Sequence, residues 1–218
     1  RLFSSIYHNT HDLSNLEIVL GIDEDDEISQ KIEDKRLNIK KTIIPPGQTM
    51  GYMNRACYDV CSGRYVMLLN DDVILRTQDW DLIVKQCFDN YKEDEIVLVH
   101  VNDLIYQEEL CTFPFVSRKF CELVGGNICP AEYIRYRIDD HIYNIFNMLA
   151  YLGYKRIVYL PNVIFEHDNY VGNNQERQYV YNEEIMEKDI HTFDNLLLDS
   201  RKECTLKLLV HIESQKLL

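Results

Sequence analysis

The stretch YVMLLNDD (Tyr65–Asp72) joins an apolar run to a polar end. A short apolar run of this kind is typical of a buried parallel strand, which ends where the polar residues begin. Residues i and i+2 of an extended segment point the same way, so Asn70 and Asp72 can face one site. Their oxygens are suited to hold Mg²⁺ or Mn²⁺ against a diphosphate, and the plainer alternative is a solvated turn that closes the strand.

Further apolar runs along the chain predict more strands, and segments with helical spacing lie between them. These runs are Leu16–Ile22, Lys41–Ile44, Ile96–Val101, Thr112–Val116, Arg156–Leu160 and Val163–Phe165. Strands that alternate with helices predict an α/β fold. We therefore expect a Rossmann-like, mostly parallel sheet flanked by helices and followed by a helical C-terminal tail.

The chain reads as one domain, because it has no internal repeat and no linker rich in Ser, Gly or Pro. We expect residues 1–178 to form the α/β body and residues 179–218 a helical extension packed on it. Helical spacing already begins at Leu2, Phe3 and Ile6. This early helix predicts that the first strand of the sheet lies upstream of Arg1.

The charge of the chain limits its partners. The 218 residues include 36 acidic residues against 23 Lys and Arg, a formal net charge of −13. Such a surface repels phosphate backbones, which argues against nucleic acid, and a bound nucleotide would call for a divalent cation. No apolar run approaches the roughly 20 residues of a transmembrane helix. The seven scattered cysteines predict reduced thiols and a cytoplasmic location, with peripheral attachment to a membrane as an alternative.

Two more predicted strands also end in polar residues. Asp23 and Asp25 follow one strand, and Glu166 and His167 end another. Ligands of open α/β sheets bind outside the carboxyl ends of the strands, so these ends are candidate binding positions. The His167 imidazole could complete the metal site of Asp72, or be a hydrogen-bonded structural histidine. Asp23 and Asp25 could bind ribose or the edge of a base, or belong to a solvated acidic loop.

Asp139 and Asp140 open the clearest helix of the chain. Carboxylates in a first turn stabilise a helix through its dipole, so capping is one explanation of the pair. The other is a general base that accepts a proton from an attacking hydroxyl. The two roles are compatible, because a helix start is a rigid platform.

The order of these motifs resembles that of inverting, family-2-like glycosyltransferases with the GT-A fold. Four regions carry the resemblance: Glu17–Asp23, Gly51–Val66, Leu68–Val73 and the segments between Asp139 and His167. The resemblance implies transfer of a sugar from a nucleotide diphosphate sugar, with a UDP-sugar favoured, and inversion at the anomeric carbon. It further implies Mn²⁺ or Mg²⁺ as cofactor and a carbohydrate or lipid-linked acceptor.

The resemblance also implies a role for each candidate residue. Asn70-Asp71-Asp72 takes the place of the DxD motif, with an amide where the first carboxylate stands. Asp72 and His167 are then the metal ligands, and Asn70 and Asp71 contact the ribose or the metal. Asp23, Asp25 and Arg55 bind the nucleotide. Asp140 is preferred to Asp139 as the catalytic base.

Two other functions remain open at this point. A sugar nucleotidyltransferase would also use metal-binding carboxylates, but it normally carries a Gly-rich phosphate loop, which this sequence lacks. A non-catalytic GT-A-like module would bind a nucleotide sugar without turning it over. These alternatives differ from glycosyl transfer in the reaction that the acidic residues support: the first forms a sugar nucleotide, and the second catalyses no reaction.

Overall fold

A computed structural model of the chain describes residues 1–167 and 182–217. It has a mixed α/β fold with helices on both sides of a sheet and helices at its C-terminal end, which confirms the expected class. Its helices are α1 (Leu2–Asn9), α2 (Met50–Val60), α3 (Trp80–Asp89), α4 (Arg118–Leu123), α5 (Ile138–Tyr151), α6 (Glu183–His191) and α7 (Leu198–Gln215). Its strands are β1 (Ile18–Asp23), β2 (Ile39–Ile44), β3 (Tyr65–Met67), β4 (Val73–Leu75), β5 (Leu98–Asn102), β6 (Phe115–Ser117) and β7 (Ile157–His167).

The strands form a parallel pair, β1–β2, and a five-stranded sheet in the order β3-β6-β5-β7-β4. In the larger sheet only β5 and β7 are parallel, whereas β3–β6, β5–β6 and β4–β7 are antiparallel. The sheet is therefore not mostly parallel as the sequence analysis expects. Apolar runs that are buried on both faces look alike in either direction, because the pattern reports burial and not the direction of pairing.

Strand β5 lies at the centre of this sheet and separates two cores. Leu98 packs into the cluster that includes α5 and α7, and Val99 packs into the cluster that includes α3. Both side chains are fully buried. A strand covered on both faces favours an unbroken apolar run, and residues 96–99 form such a run that leads into β5.

The strands β7 and β4, at one edge of the sheet, differ from the strands that the sequence predicts. The sequence predicts two strands here, Arg156–Leu160 and Val163–Phe165, but the structure has the single strand β7. Its register with β5 is irregular, because Val101 pairs with Leu160 and the next residue, Asn102, pairs with Ile164. The short strand β4 has no counterpart among the predicted strands. Three residues are too few to show a period of their own, and β4 exists because β7 offers it a pairing edge.

The C-terminal helices belong to the same body as the sheet. Cys204, Leu208 and Ile212 of α7 lie in the core cluster that contains Phe146 of α5. The predicted boundary between residues 178 and 179 falls outside the described residues, so it stays a prediction. All seven cysteines are free thiols. Within the described ranges, every helix is too short or too polar to cross a bilayer.

Candidate active site

Pairing between β4 and β7 brings the predicted metal ligands together. Val73 of β4 lies opposite His167 at the end of β7. The turn just before Val73 is therefore carried to the same edge, where the Asp72 Oδ1 atom lies 3.7 Å from His167 Nε2. Asn70 Nδ2 lies 3.2 Å from the same nitrogen. Asn70, Asp72 and His167 thus form one cluster, while Asp71 beside them is exposed.

The hydrogen bond between Asn70 and His167 defines what each atom can do. An amide nitrogen only donates, so in this arrangement His167 Nε2 is the acceptor. A metal ion at Nε2 would need that lone pair, and Asn70 would then have to turn its oxygen towards the ion. On its other side, His167 packs against Phe113, with 5.0 Å between the ring centroids. This contact holds the imidazole ring at the edge of the sheet.

The donor set at this cluster fits a cation that is shared with a diphosphate. Within residues 1–167 and 182–217, no three His, Cys, Asp or Glu side chains form a ligand group. Asp72 and His167 are a set of two, with the side-chain amide of Asn70 beside them. Mg²⁺ is commonly bound by one or two carboxylates together with substrate phosphates, so two protein ligands are chemically sufficient.

Asp139 and Asp140 lie in the first turn of α5 and have different surroundings. Asp140 accepts a hydrogen bond from Arg137 Nη1 at 3.0 Å, as an ion pair. Asp139 accepts the N–H of Asp140 at 2.9 Å and is only partly exposed. Burial, followed by the negative charge of Asp140, raises the pKa of Asp139 to about 6. The pair therefore contains one ion-paired carboxylate and one that takes up a proton more readily than an ordinary aspartate.

The loop after β5 connects the acidic pair to the His167 cluster. Its residue Cys111 is fully buried, and the charge of Asp139 contributes, after burial, to the raised pKa of this thiol. Phe113, two positions later, contacts His167. The buried Asp103 carboxylate holds the start of the loop, since its Oδ1 accepts three backbone N–H groups at 2.8–3.0 Å. The loop therefore has a defined conformation between the two groups of candidate residues.

The remaining predicted residues lie on the surface. Asp23 ends β1 and Asp25 lies in the turn that follows it, and both side chains are exposed. Arg55 is exposed on α2; burial raises the pKa of Cys129 to about 12, and the charge of Arg55 opposes that rise. Across the described part of the chain, no hydrogen bond joins these three side chains to Asn70, and their nucleotide-binding role stays a prediction.

Sequence reasoning missed two residues that shape this site. Arg137 pairs with Asp140, and its i, i+3 spacing is a signal that a search for helical ion pairs could have found. Asp189 of α6 accepts backbone N–H groups just before α5. It lies about fifty residues further along the chain, and no local pattern identifies it.

Comparison with known proteins supports the fold. No family model matches the chain, and no curated protein matches it. Crystal structures of Staphylococcus aureus TarS are similar: TarS (15% identity, 76% of this chain, TM-score 0.53), TarS 1–349 (16%, 77%, 0.55) and TarS 1–349 in complex with UDP (15%, 76%, 0.57). The chain spans between a third and just over half of those structures, at 33%, 56% and 54% of their length. At this identity the likeness shows a shared fold.

Proposed function

We propose that this chain is a glycosyltransferase that moves a sugar from a nucleotide diphosphate sugar to an acceptor hydroxyl. The observation that carries the proposal is the convergence of Asn70, Asp72 and His167, at 3.2 and 3.7 Å, from segments far apart in the sequence. The resemblance assigns the metal to Asp72 and His167, and the ribose or the metal to Asn70. A structural turn would not require a histidine from another strand to meet it.

The nucleotide is proposed to be UDP. One TarS structure that shares this fold holds UDP. The acidic character of the chain, with a net charge of −13, favours a cation between the protein and a diphosphate. Asp23, Asp25 and Arg55 are the proposed contacts to the nucleoside, and the exposed Asp71 is a further one.

Metal dependence is a further part of the proposal, and the same donor set supports it. Asp72 and His167 would hold Mn²⁺ or Mg²⁺, and Asn70 would contribute its amide oxygen. When bound, the ion supplies positive charge that stabilises the leaving diphosphate. The protein residues would bind the donor and present the acceptor hydroxyl to the anomeric carbon.

The acidic pair is proposed to accept the acceptor's proton in a single displacement that inverts the anomeric carbon. The resemblance favours Asp140 as the base. The local electrostatics favour Asp139, because a pKa of about 6 suits proton transfer near neutral pH. Asp140 is instead neutralised by Arg137. Both assignments have the base at the start of α5, and substitution of each residue separately distinguishes them.

The acceptor is proposed to enter beside the loop after β5. This loop contacts α5, where Tyr143 OH donates to the Glu108 carbonyl at 3.5 Å. After burial, the charge of Asp139 also raises the pKa of Cys111 in the same loop. A carbohydrate or lipid-linked acceptor bound there would have its hydroxyl near the acidic pair. A cytoplasmic location is part of the proposal, because the free thiols suit a reducing compartment.

The test is a panel of UDP-, GDP- and dTDP-sugars incubated with the chain in Mn²⁺ and in EDTA. We expect release of UDP from at least one UDP-sugar, and its loss in EDTA. Binding of UDP without turnover of any sugar nucleotide would favour the non-catalytic module. Formation of a sugar nucleotide from UTP and a sugar 1-phosphate would favour the nucleotidyltransferase.

A further inference from the structure

Helix α6 carries a buried carboxylate, Asp189, that binds the backbone of another segment. It is fully buried and accepts the N–H groups of Ile134, Arg135 and Tyr136 at 2.8, 2.9 and 2.7 Å. Among the ion pairs of the described residues, none includes Asp189. A buried carboxylate is costly unless hydrogen bonds satisfy its oxygens, and here backbone donors do so. The interaction therefore fixes the turn at residues 134–136.

The same turn is held from its other side by the start of α2. Met50 N–H donates to the Ile134 carbonyl at 2.8 Å, and Gly51 N–H donates to the Tyr133 carbonyl at 2.9 Å. The approach is so close that a Cβ atom at Gly51 would lie 2.4 Å from the Pro130 carbonyl oxygen. The turn is thus bound by hydrogen bonds to both α2 and α6. Loss of the hydrogen bonds to either helix leaves the turn bound to the other helix alone.

The turn leads directly to the acidic pair. Arg137 has the left-handed conformation, with φ 67°, immediately before α5. That conformation is unfavourable for a non-glycine residue, so its surroundings must impose it. From this position Arg137 donates to Asp140. Its guanidinium also lies 5.7 Å from the ring of Phe193, which Arg201 covers from 3.7 Å.

We propose that Asp189 is a positioning residue for the acidic pair. It fixes the turn that imposes the conformation of Arg137, and Arg137 in turn orients Asp140 and its neighbour Asp139. The C-terminal helices are then a working part of the active site and not an appended tail. The effect on turnover rests on the proposed glycosyltransferase function, whereas the effect on the geometry of the pair does not.

The first test compares Asp189→Asn with Asp199→Asn in the complete chain. Asn keeps the size of the side chain but loses the charge and one accepting oxygen. Asp199 is the matched control, since it lies on α7 with its side chain 95% exposed. We expect Asp189→Asn to lower kcat for sugar transfer by about tenfold or more, because small displacements at a reacting group are costly. The KM for the donor and the affinity for UDP should stay within about twofold of wild type.

The second readout needs no transfer activity. The carboxyl carbon of Asp139 is followed by NMR as pH changes; Asp140, Arg137 and Cys111 are the groups that face it. We expect the pH midpoint of the Asp139 titration to shift in Asp189→Asn and to remain unchanged in Asp199→Asn. A folded Asp189→Asn with unchanged kcat and unchanged midpoint overturns the proposal. If the wild-type chain transfers no sugar, the proposed function fails, and the Asp139 midpoint still decides whether Asp189 positions the pair.

A second variant covers the case in which Asp189→Asn does not fold. Phe193→Leu removes the ring beneath Arg137 without any change of charge, and Phe193 is only partly buried. We expect the Asp139 midpoint to move here too, because Arg137 loses a contact with the C-terminal helices. An unmoved midpoint in a folded Phe193→Leu would contradict the coupling of these helices to the acidic pair.

Discussion

His167 Nε2 lies 3.2 Å from the amide nitrogen of Asn70, although the two residues are 97 positions apart in the chain. The contact exists because β4 pairs antiparallel with the end of β7 and carries the preceding turn to that edge. A hydrogen-bond donor thus occupies the position at which the resemblance implies a carboxylate. The metal affinity of the chain is therefore expected to depend on how this amide is oriented.

Asp72→Asn should make nucleotide binding insensitive to metal. The variant keeps the shape of the side chain but removes the charge that would hold Mn²⁺ next to His167. We expect UDP affinity in Mn²⁺ to fall about tenfold or more, with little change in EDTA, as measured by calorimetry. Asp89→Asn on α3, an exposed position, is the control. Equal affinities of variant and wild type in Mn²⁺ would contradict metal binding through Asp72.

Asn70→Asp should strengthen metal binding. The substitution replaces the amide that donates to His167 with a carboxylate, which cannot donate and is a better ligand for hard cations. We expect a several-fold tighter Mn²⁺ complex in the presence of UDP. The exposed Asn38→Asp adds the same charge elsewhere and serves as control. If both variants bind Mn²⁺ equally tightly, only net charge matters and the cluster is not the metal site.

Separate substitution of Asp139 and Asp140 should identify the base. The true base, changed to Asn, loses its proton acceptor, so kcat should fall by about 10²–10⁴ with UDP affinity nearly unchanged. Asp139 as base further predicts an activity that declines as pH falls through about 6, where this carboxylate takes up its proton. If both variants retain turnover, the base lies outside α5.

His100→Phe should make the fold less sensitive to acid. His100 is 1% exposed between Tyr143 and Tyr159, and its Nδ1 has no hydrogen-bond partner among the described residues. Burial lowers the pKa of His100 to about 4. The unfolded chain therefore binds a proton that the native chain does not, and stability is lost as pH falls below the unfolded value of about 6.5.

Urea unfolding at pH 7.5 and pH 5 measures this effect. The wild type should lose roughly 2 kcal/mol through His100 over that interval, and His100→Phe should lose correspondingly less. At pH 7.5 the variant should be at least as stable, since the ring gives up no hydrogen bond to a described residue. His191→Phe on the exposed end of α6 is the control. An identical pH dependence in wild type and His100→Phe would contradict the buried, neutral state of this histidine.

Local features of the site could be predicted from neighbouring residues alone. The strand that starts at Tyr65 and ends before Asn70 follows from its apolar run, and the start of α5 follows from its helical spacing. The Thr49 hydroxyl caps α2 by accepting the Tyr52 N–H at 3.0 Å, and a threonine just before a helical stripe is a local signal for such a cap. Each of these depends on contacts within about one helical turn or one strand, which sequence patterns report directly.

Tertiary structure alone decided how these elements meet. The antiparallel pairings, the short strand β4, the contact of Asn70 with His167 and the bond from Asp189 to the turn before α5 all join segments that are distant in sequence. A hydrogen bond between distant backbones depends on which edges the packed core brings side by side, and hydrophobic periodicity carries no record of that choice. Short-range patterns of residues therefore predict the α/β class and the candidate residues, whereas the packing of the core brings some of those residues into one site.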